Sequence, residues 1–402
     1  MWRNCKLGDV VTLKRGYDLP RQDRQPGPFP IVSSSGVTDH HSEAKVSGPG
    51  VVTGRYGTLG EVFYIEEDFW PLNTSLYVED FKGNDRKFVA YFMGQLDFGS
   101  RDAAGAVPGV NRNHLHAMAV RVPPLGIQRR IAAILSAYDD LIANNQRRIR
   151  ILEQMARALY REWFVEFRFP GHEKLRLVKS AIGWVPEGWP ERSVGEVADV
   201  FRGRSYRGVD LADEGGLPFL NLKCVDRDGG FRRSGLKRYT GNFDRQHVAK
   251  KGDIVMAVTD MTQERRIVAR PALIPTLSHD FGVLSMDLVR IEPKACLPKA
   301  FLYCFFRFSG FADEVKQHAN GANVLHLSPD RIRDYRLALP PSDLTGRFAA
   351  IVGPSLTLGD VLENQIENLR RTRDLLLPCL LSGQVAIDES AAYPTPARRG
   401  RA

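Results

Sequence analysis

The stretch Gly54-Arg55-Tyr56-Gly57-Thr58-Leu59-Gly60 gathers hydrogen-bond donors on a glycine-rich turn between two β-like runs. Glycine permits a tight turn and close approach of the backbone to a ligand. Arginine can take guanine O6 and N7 bidentately, and threonine can bond a base edge or meet a thymine methyl. Arg55, Tyr56 and Thr58 are therefore candidate DNA contacts, the competing reading being a solvated hairpin with incidental charge. Related chemistry recurs at Val258-Thr259-Asp260-Met261-Thr262-Gln263-Glu264-Arg265-Arg266, which has no glycine but offers Thr259, Gln263, Arg265 and Arg266. Ser33, Ser34 and Ser35, and the Asn221-Leu222-Lys223 run with Lys223, follow matching Pro/Phe-containing runs and would add polar groups near the same face. Lys14-Arg15 and the run from Arg202 through Arg204 and Tyr206 to Arg207 fit phosphate-positioning groups, which fix register without reading sequence.

Catalytic sets are missing from the sequence. There is no G-x-x-x-x-G-K-[ST] loop, no G-x-S-x-G elbow, no H-E-x-x-H, and no Asn-Pro-Pro-Tyr-like loop with which an amino-methyltransferase grips a flipped base. His40-His41 and His114/His116 have no carboxylate or thiolate cluster at metal spacing and read as surface or loop histidines. The nearest approach to a nuclease set is Asp287, Glu292 and Lys294, spaced D-x4-E-x-K, but Pro293 interrupts the strand on which Glu and Lys would project together. Five scattered cysteines (Cys5, Cys224, Cys296, Cys304, Cys379) form no C-x-x-C, which argues against a zinc site or a disulfide framework. A standalone metal-dependent nuclease and a coiled-coil scaffold are the alternative readings.

The elements that position these residues come as a repeat. Shifting the chain by 217 residues lays Pro123-Pro124 on Pro340-Pro341, Arg130-Ile131-Ala132-Ala133-Ile134 on Arg347-Phe348-Ala349-Ala350-Ile351, and Leu141, Ile149, Leu152 and Leu159 on Leu358, Ile366, Leu369 and Leu376. With gaps, Leu7-Gly8-Asp9-Val10 parallels Val194-Gly195-Glu196-Val197, Arg15-Gly16 parallels Arg202-Gly203, and 87–91 parallels 299–303. Each copy ends in a long helix whose apolar positions recur at three and four: Ile131, Ile134, Leu141, Ile149, Leu152 and Leu159 in one, Ile351, Leu358, Ile366, Leu369 and Leu376 in the other. The seam carries a stutter after Asn145, with a four-four step at the matching place of the second copy. Pro354 predicts a bend or restart near Ser355. Roughly 40 residues at 1.5 Å each make about 60 Å, so the second helix can bury its seam on the first only by running back, antiparallel, like the bar of a dumbbell.

The fold class expected is α+β: two globular units of mixed strands plus a helix, separated by a long antiparallel two-helix coiled coil with a pseudo-twofold internal repeat. Boundaries fall at 1–124, 125–168, 169–191, 192–341, 342–382 and a flexible tail 383–402. Strands are expected at 50–53, 61–65, 75–78, 253–258 and 284–289, and helices at 85–96 and 298–308. The connector with Trp184 and Trp189 should pack as an ordered corner.

The 402 residues carry a net charge of +9, which favours a polyanionic partner. Residues 1–124 nevertheless hold 14 basic and 14 acidic side chains, so the surplus lies in 125–341. No apolar run reaches the ~18–20 residues of a membrane span, and no signal-peptide core is present, which reads as cytoplasmic with no membrane partner.

This architecture resembles the specificity (S) subunit of type I restriction-modification systems. The resemblance is carried by the paired openings at 7–10 and 194–197, the glycine-rich loop with Trp70-Pro71-Leu72-Asn73-Thr74, the Pro123–Ile131 helix start, and Ile182-Gly183-Trp184-Val185-Pro186-Glu187-Gly188-Trp189. It implies two target recognition domains, each reading half of a bipartite site on double-stranded DNA, with the helices as a ruler. It also implies a non-catalytic chain that docks two methyltransferase (M) subunits and, through them, restriction/translocase (R) subunits. S-adenosylmethionine, ATP and Mg would then sit on those partners, with no cofactor on this chain. The second unit departs from the glycine-loop and Trp-Pro-x-Asn pattern.

Overall fold

A computed structural model describes residues 2–98, 109–294, 297–385 and 387. Cys296 and nearly all of the expected tail lie outside the described residues. The chain forms two compact units, 1–143 with 367–402, and 144–366.

In the first unit, Thr12–Arg15, Ser75–Asp80, Gly50–Gly54 and Val62–Ile65 form a four-stranded antiparallel sheet in that order. Gly36–His41, Phe29–Ser33 and Trp70–Pro71 form a second sheet, the last pair parallel. The strand Gly50–Gly54 is buried throughout because both faces are covered. Val51 joins Phe88, Val89 and Met93 of the helix Arg86–Met93, while Val52 joins Val32, Phe69 and Tyr77. Period-2 alternation sends the two valines to opposite cores. The helix begins at Asp85, whose carboxylate accepts from Phe88 N at 2.9 Å.

The second unit repeats this plan. Ala198–Arg202, Leu288–Pro293, Ile254–Ala257 and Pro271–Leu273 form its four-stranded sheet. Leu217–Leu220 pairs in parallel with Phe281–Leu284, as Phe29–Ser33 does with Trp70–Pro71. The helix Lys299–Phe308 takes the place of Arg86–Met93. The expected strand 284–289 is two strands: Ser285 accepts from Leu288 N at 3.0 Å through its carbonyl and from Asp287 N at 3.3 Å through its hydroxyl, which turns the chain. Equivalence reaches single atoms. Lys6 N donates to Asp9 Oδ2 at 3.0 Å and Ser193 N to Glu196 Oε2 at 2.6 Å, closing the same turn. Lys82 Nζ donates to Gly8 O at 2.6 Å, and Lys294 Nζ to Gly195 O at 2.7 Å.

The long helices span Leu125–Tyr160, extended by a π turn at Arg161–Val165, and Ser342–Ser382. They run antiparallel within each unit. In the second, Asn145 Nδ2 donates to Gln365 Oε1 at 3.2 Å, while Tyr160 and Trp163 pack on the earlier Phe348. In the first, Arg373 bonds Asp139 at 2.5 Å, and Leu380 joins Ile131 and Leu135 in one core.

The buried seam corrects the expected one. Leu141 is 50% exposed and Ile351 55%, and Leu358 is exposed as well, while their neighbours Ile142 and Val352 are buried. With those shifts the stutter disappears. Gln128, Leu135, Ile142, Ile149, Ala156 and Trp163 recur at seven, as do Thr345, Val352, Gly359, Ile366, Arg373 and Leu380. Adjacent apolar pairs (Leu141-Ile142, Ile351-Val352) made the phase ambiguous, and glycine at a seam position drew the choice to Leu358. Ile131 and Ile366 are buried, and Ile134, Ile149, Leu152, Leu159, Leu369 and Leu376 half-buried. The second helix passes Pro354 without restarting, and the Thr357 hydroxyl donates to Gly353 O at 3.1 Å in that turn.

The connector holds a hairpin, Leu177–Ser180 against Gly183–Pro186. Trp189 packs among Phe164, Phe167 and Phe169 as an ordered corner requires, but Trp184 is 63% exposed on the hairpin.

Candidate DNA interface

In the first unit the backbone of Arg55 is bonded on both sides, its N–H to Thr74 O and its C=O from Val110 N, each 2.9 Å. Gly54 is required beneath it, since a Cβ there would run into the Thr58 carbonyl. The Arg55 guanidinium lies 4.6 Å from the Tyr56 ring centroid, and Arg15, Arg55, Tyr56 and Arg112 line one depression with Leu76 and Val110. Thr58 is exposed on the same loop. Ser34 reaches this loop, its Oγ in van der Waals range of a Cβ at Gly57. Ser33 and Ser35 are spent on the turn: their hydroxyls bond each other at 3.0 Å, and Ser35 N donates to Ser33 Oγ at 3.1 Å. Lys14, next along the strand from Arg15 and so on its other face, is bound to Glu79 at 2.6 Å, which raises its pKa.

Sequence reasoning missed Asn111 and Arg112. Asn111 caps the short helix Arg112–His116 by accepting from Asn113 N at 2.9 Å, as Ser328 caps Pro329–Arg333 in the second unit. That matching pair of caps was the available signal. The Trp70-Pro71-Leu72-Asn73-Thr74 motif proves to be support: Leu72 N donates to Val32 O at 2.8 Å, Asn73 bonds Asp18, and Thr74 O holds both Arg55 N and Tyr56 N.

The second unit builds its loop differently. Thr259 is 2% exposed, its Oγ 3.5 Å from His326 Nδ1, so it is a core residue and not a base contact; the short pairing of Thr259–Asp260 with Leu325–His326 covers it. Buried Asp260 replaces the glycines as organiser, accepting from Thr262 N at 2.7 Å, Thr262 Oγ1 at 2.8 Å and Ile267 N at 3.2 Å. Gln263 Nε2 donates to Ala322 O at 2.9 Å, Arg265 to Gln317 O at 3.3 Å, and Arg266 pairs with Asp228 at 3.5 Å. Arg202 and Lys223 are exposed, Arg204 half-buried. Tyr206 packs edge-on against Phe219 at 4.7 Å, and burial raises its phenol pKa.

The nuclease-like residues are not gathered. Asp287 bonds Ser285, Glu292 pairs with Arg290 at 2.7 Å, and Lys294 repeats the structural bond of Lys82. Among the described residues no group of three or more His, Cys, Asp or Glu could hold a metal. Two histidines read as surface groups are structural. His41 is buried, its Nδ1 accepting from Gln25 N at 3.0 Å, and its ring meets Trp70 edge-on. His116 Nε2 accepts from Leu13 N at 2.9 Å, and burial, with Arg112 and Lys82 nearby, lowers its pKa.

A family profile described as the type I restriction modification DNA specificity domain matches residues 1–154. The type I restriction enzyme MjaVIII specificity subunit of Methanocaldococcus jannaschii is 23% identical over 96% of this chain and 93% of its own length. The MjaIX specificity subunit of the same organism is 24% identical over 70% of this chain, which spans 64% of that relative. The crystal structure of the type I restriction-modification S subunit from M. genitalium shares the fold, with a TM-score of 0.62 at 14% identity over 95% of this chain and 96% of that one. Residues 1–154 thus resemble the type I restriction modification DNA specificity domain, and nearly the whole chain is similar to a type I restriction enzyme specificity subunit.

Proposed function

We propose that this chain is the non-catalytic specificity subunit of a type I restriction-modification complex. Each unit binds one half of a bipartite sequence on double-stranded DNA. The long helices dock two methyltransferase subunits and, through them, restriction/translocase subunits. S-adenosylmethionine, ATP and Mg are bound by those partners and none by this chain. The complex works in the cytoplasm; among the described residues no helix is long and apolar enough to cross a membrane.

One observation carries this reading. Two units share a scaffold down to the lysine–carbonyl bonds at Gly8 and Gly195, yet at matched loop positions they present different side chains. Such a pair suits a reader of two unlike half-sites. The test is to map N6-methyladenine across a host genome while residues 1–124 are replaced by those of a relative. One half of the methylated sequence should change and the other persist; an unchanged sequence would leave only a scaffold.

A further inference from the structure

The frame around Arg55 exists twice. In the second unit Val258 N donates to Asp287 O at 2.9 Å, and Val258 O accepts from Leu327 N at 2.8 Å, matching the two bonds of Arg55. The frame is constant and the side chain is not, since Val258 is buried whereas Arg55 projects, half-buried, over Tyr56. Arg112 likewise has Pro329 as its counterpart, after the matched caps Asn111 and Ser328. Only Arg15 is kept, as Arg202: Arg15 pairs with Leu76 and Arg202 with Val289. The first unit therefore presents three guanidinium groups around one depression that, among the described residues, no carboxylate lines. Arg15 is held only loosely by Asp18, at 3.9 Å.

We propose that Arg55 specifies a guanine in the half-site read by the first unit, while Arg15 and Arg112 grip flanking phosphates. This rests on the DNA-reading function proposed above. A guanidinium offers two parallel donors that match guanine O6 and N7, a fit no other base edge gives. Arg55 is anchored by backbone bonds on both sides and stacked on an aromatic face, so little freedom remains to be lost on binding. Arg15 and Arg112 are exposed, as suits contacts that need only a charge. The second unit, with valine in the frame, reads its half through the loop beyond.

The experiment compares wild type, Arg55→Gln, Arg55→Lys and Arg112→Gln, each expressed with its cognate partner subunits. N6-methyladenine is mapped genome-wide, and binding of the complexes to oligonucleotides of the mapped sequence is measured against salt. Arg55→Gln should relax one G·C position in one half by about 10–100-fold, leaving the other half and the salt slope unchanged. Arg55→Lys, which keeps the charge and the packing stem, should relax the same position and so guards against a folding defect in the glutamine variant. Arg112→Gln should weaken all sequences evenly and lower the slope by about one. Even weakening by Arg55→Gln with a lowered slope would make Arg55 a phosphate contact and overturn the assignment. Relaxation at an A·T position, or an unaltered sequence, would overturn it too. Absence of any methylated bipartite sequence with wild type would instead sink the DNA-reading function itself.

Discussion

At Gly16 a methyl group would run into the carbonyls of Pro71 and Leu72, and at Gly203 into those of Leu284 and Ser285. Both positions let one strand end press against the backbone of a neighbouring segment, Pro71-Leu72 in the first unit and Leu284-Ser285 in the second. Gly16→Ala and Gly203→Ala should each cost about 2–3 kcal/mol, read by denaturant unfolding, because the atoms met are backbone and cannot swing aside. His116 gives the first unit a pH signature. Its ring must stay neutral at Nε2 to accept from Leu13, and its pKa in the fold lies below the ordinary value near 6.5. Below pH ~6.5 the unfolded chain binds more protons than the folded one, so stability is complete above that pH and falls as pH falls. Thermal unfolding from pH 7.5 to 5 should show this loss, and His116→Gln should flatten it. Lys294 is a structural lysine like Lys82, so Lys294→Ala should leave the methylated sequence intact.

Among the elements, the second long helix is tied to the second unit through Asp360. Its carboxylate accepts from Arg233 at 3.1 Å, Lys251 at 2.9 Å, Thr276 N at 3.1 Å and Thr276 Oγ1 at 2.8 Å. Burial opposes its ionisation, but the Lys251 and Thr276 donors prevail and hold its pKa below the ordinary value. Asp360→Ala removes these hydrogen bonds, but Arg233 keeps Glu363 at 3.8 Å and Lys251 is solvated, so the unit should lose about 1–3 kcal/mol. A double-mutant cycle with Arg233→Ala should return a coupling of about 1–3 kcal/mol. None of this was legible, because Asp360, Arg233 and Thr276 are far apart in sequence and no local pattern joins them. What was legible is what repeats or has a period: the duplicated helices, the paired openings, the strand Gly50–Gly54, the capped helix at Asp85. The seam was right in kind and wrong in phase at Leu141 and Ile351, where one apolar side chain stood beside another, and at Leu358, beside the seam glycine Gly359. Thr259 was misread because its cover, Leu325–His326, lies in a distant segment.

For the whole molecule, charge is the property that best predicts behaviour. Residues 1–124 are formally neutral despite the +9 of the chain, and many arginines are bound by acids, as Arg233, Arg266 and Arg373 are. Phosphate neutralisation sets both affinity and its salt dependence. Under the proposed function, DNA binding by this chain alone should therefore be weak, and adding the methyltransferase subunit proposed as its partner should raise both affinity and the slope of log K against log salt. Equal values with and without the partner would contradict that division of labour. The division of the chain into units also has a consequence for how it is made. The second unit is one continuous stretch, 144–366, whereas the first needs residues 367 onward. Leu380, with Leu376 and Leu377 against it, belongs to the core formed by Leu7, Val51, Phe88 and Ile131. On the ribosome the first unit thus lacks part of its core until the second long helix emerges. At ~5–20 residues per second that wait is on the order of tens of seconds. The second unit has all its parts earlier, so the order of folding reverses the order of synthesis, and released chains truncated after residue 366 should resist proteolysis in their second unit while their first is still cut.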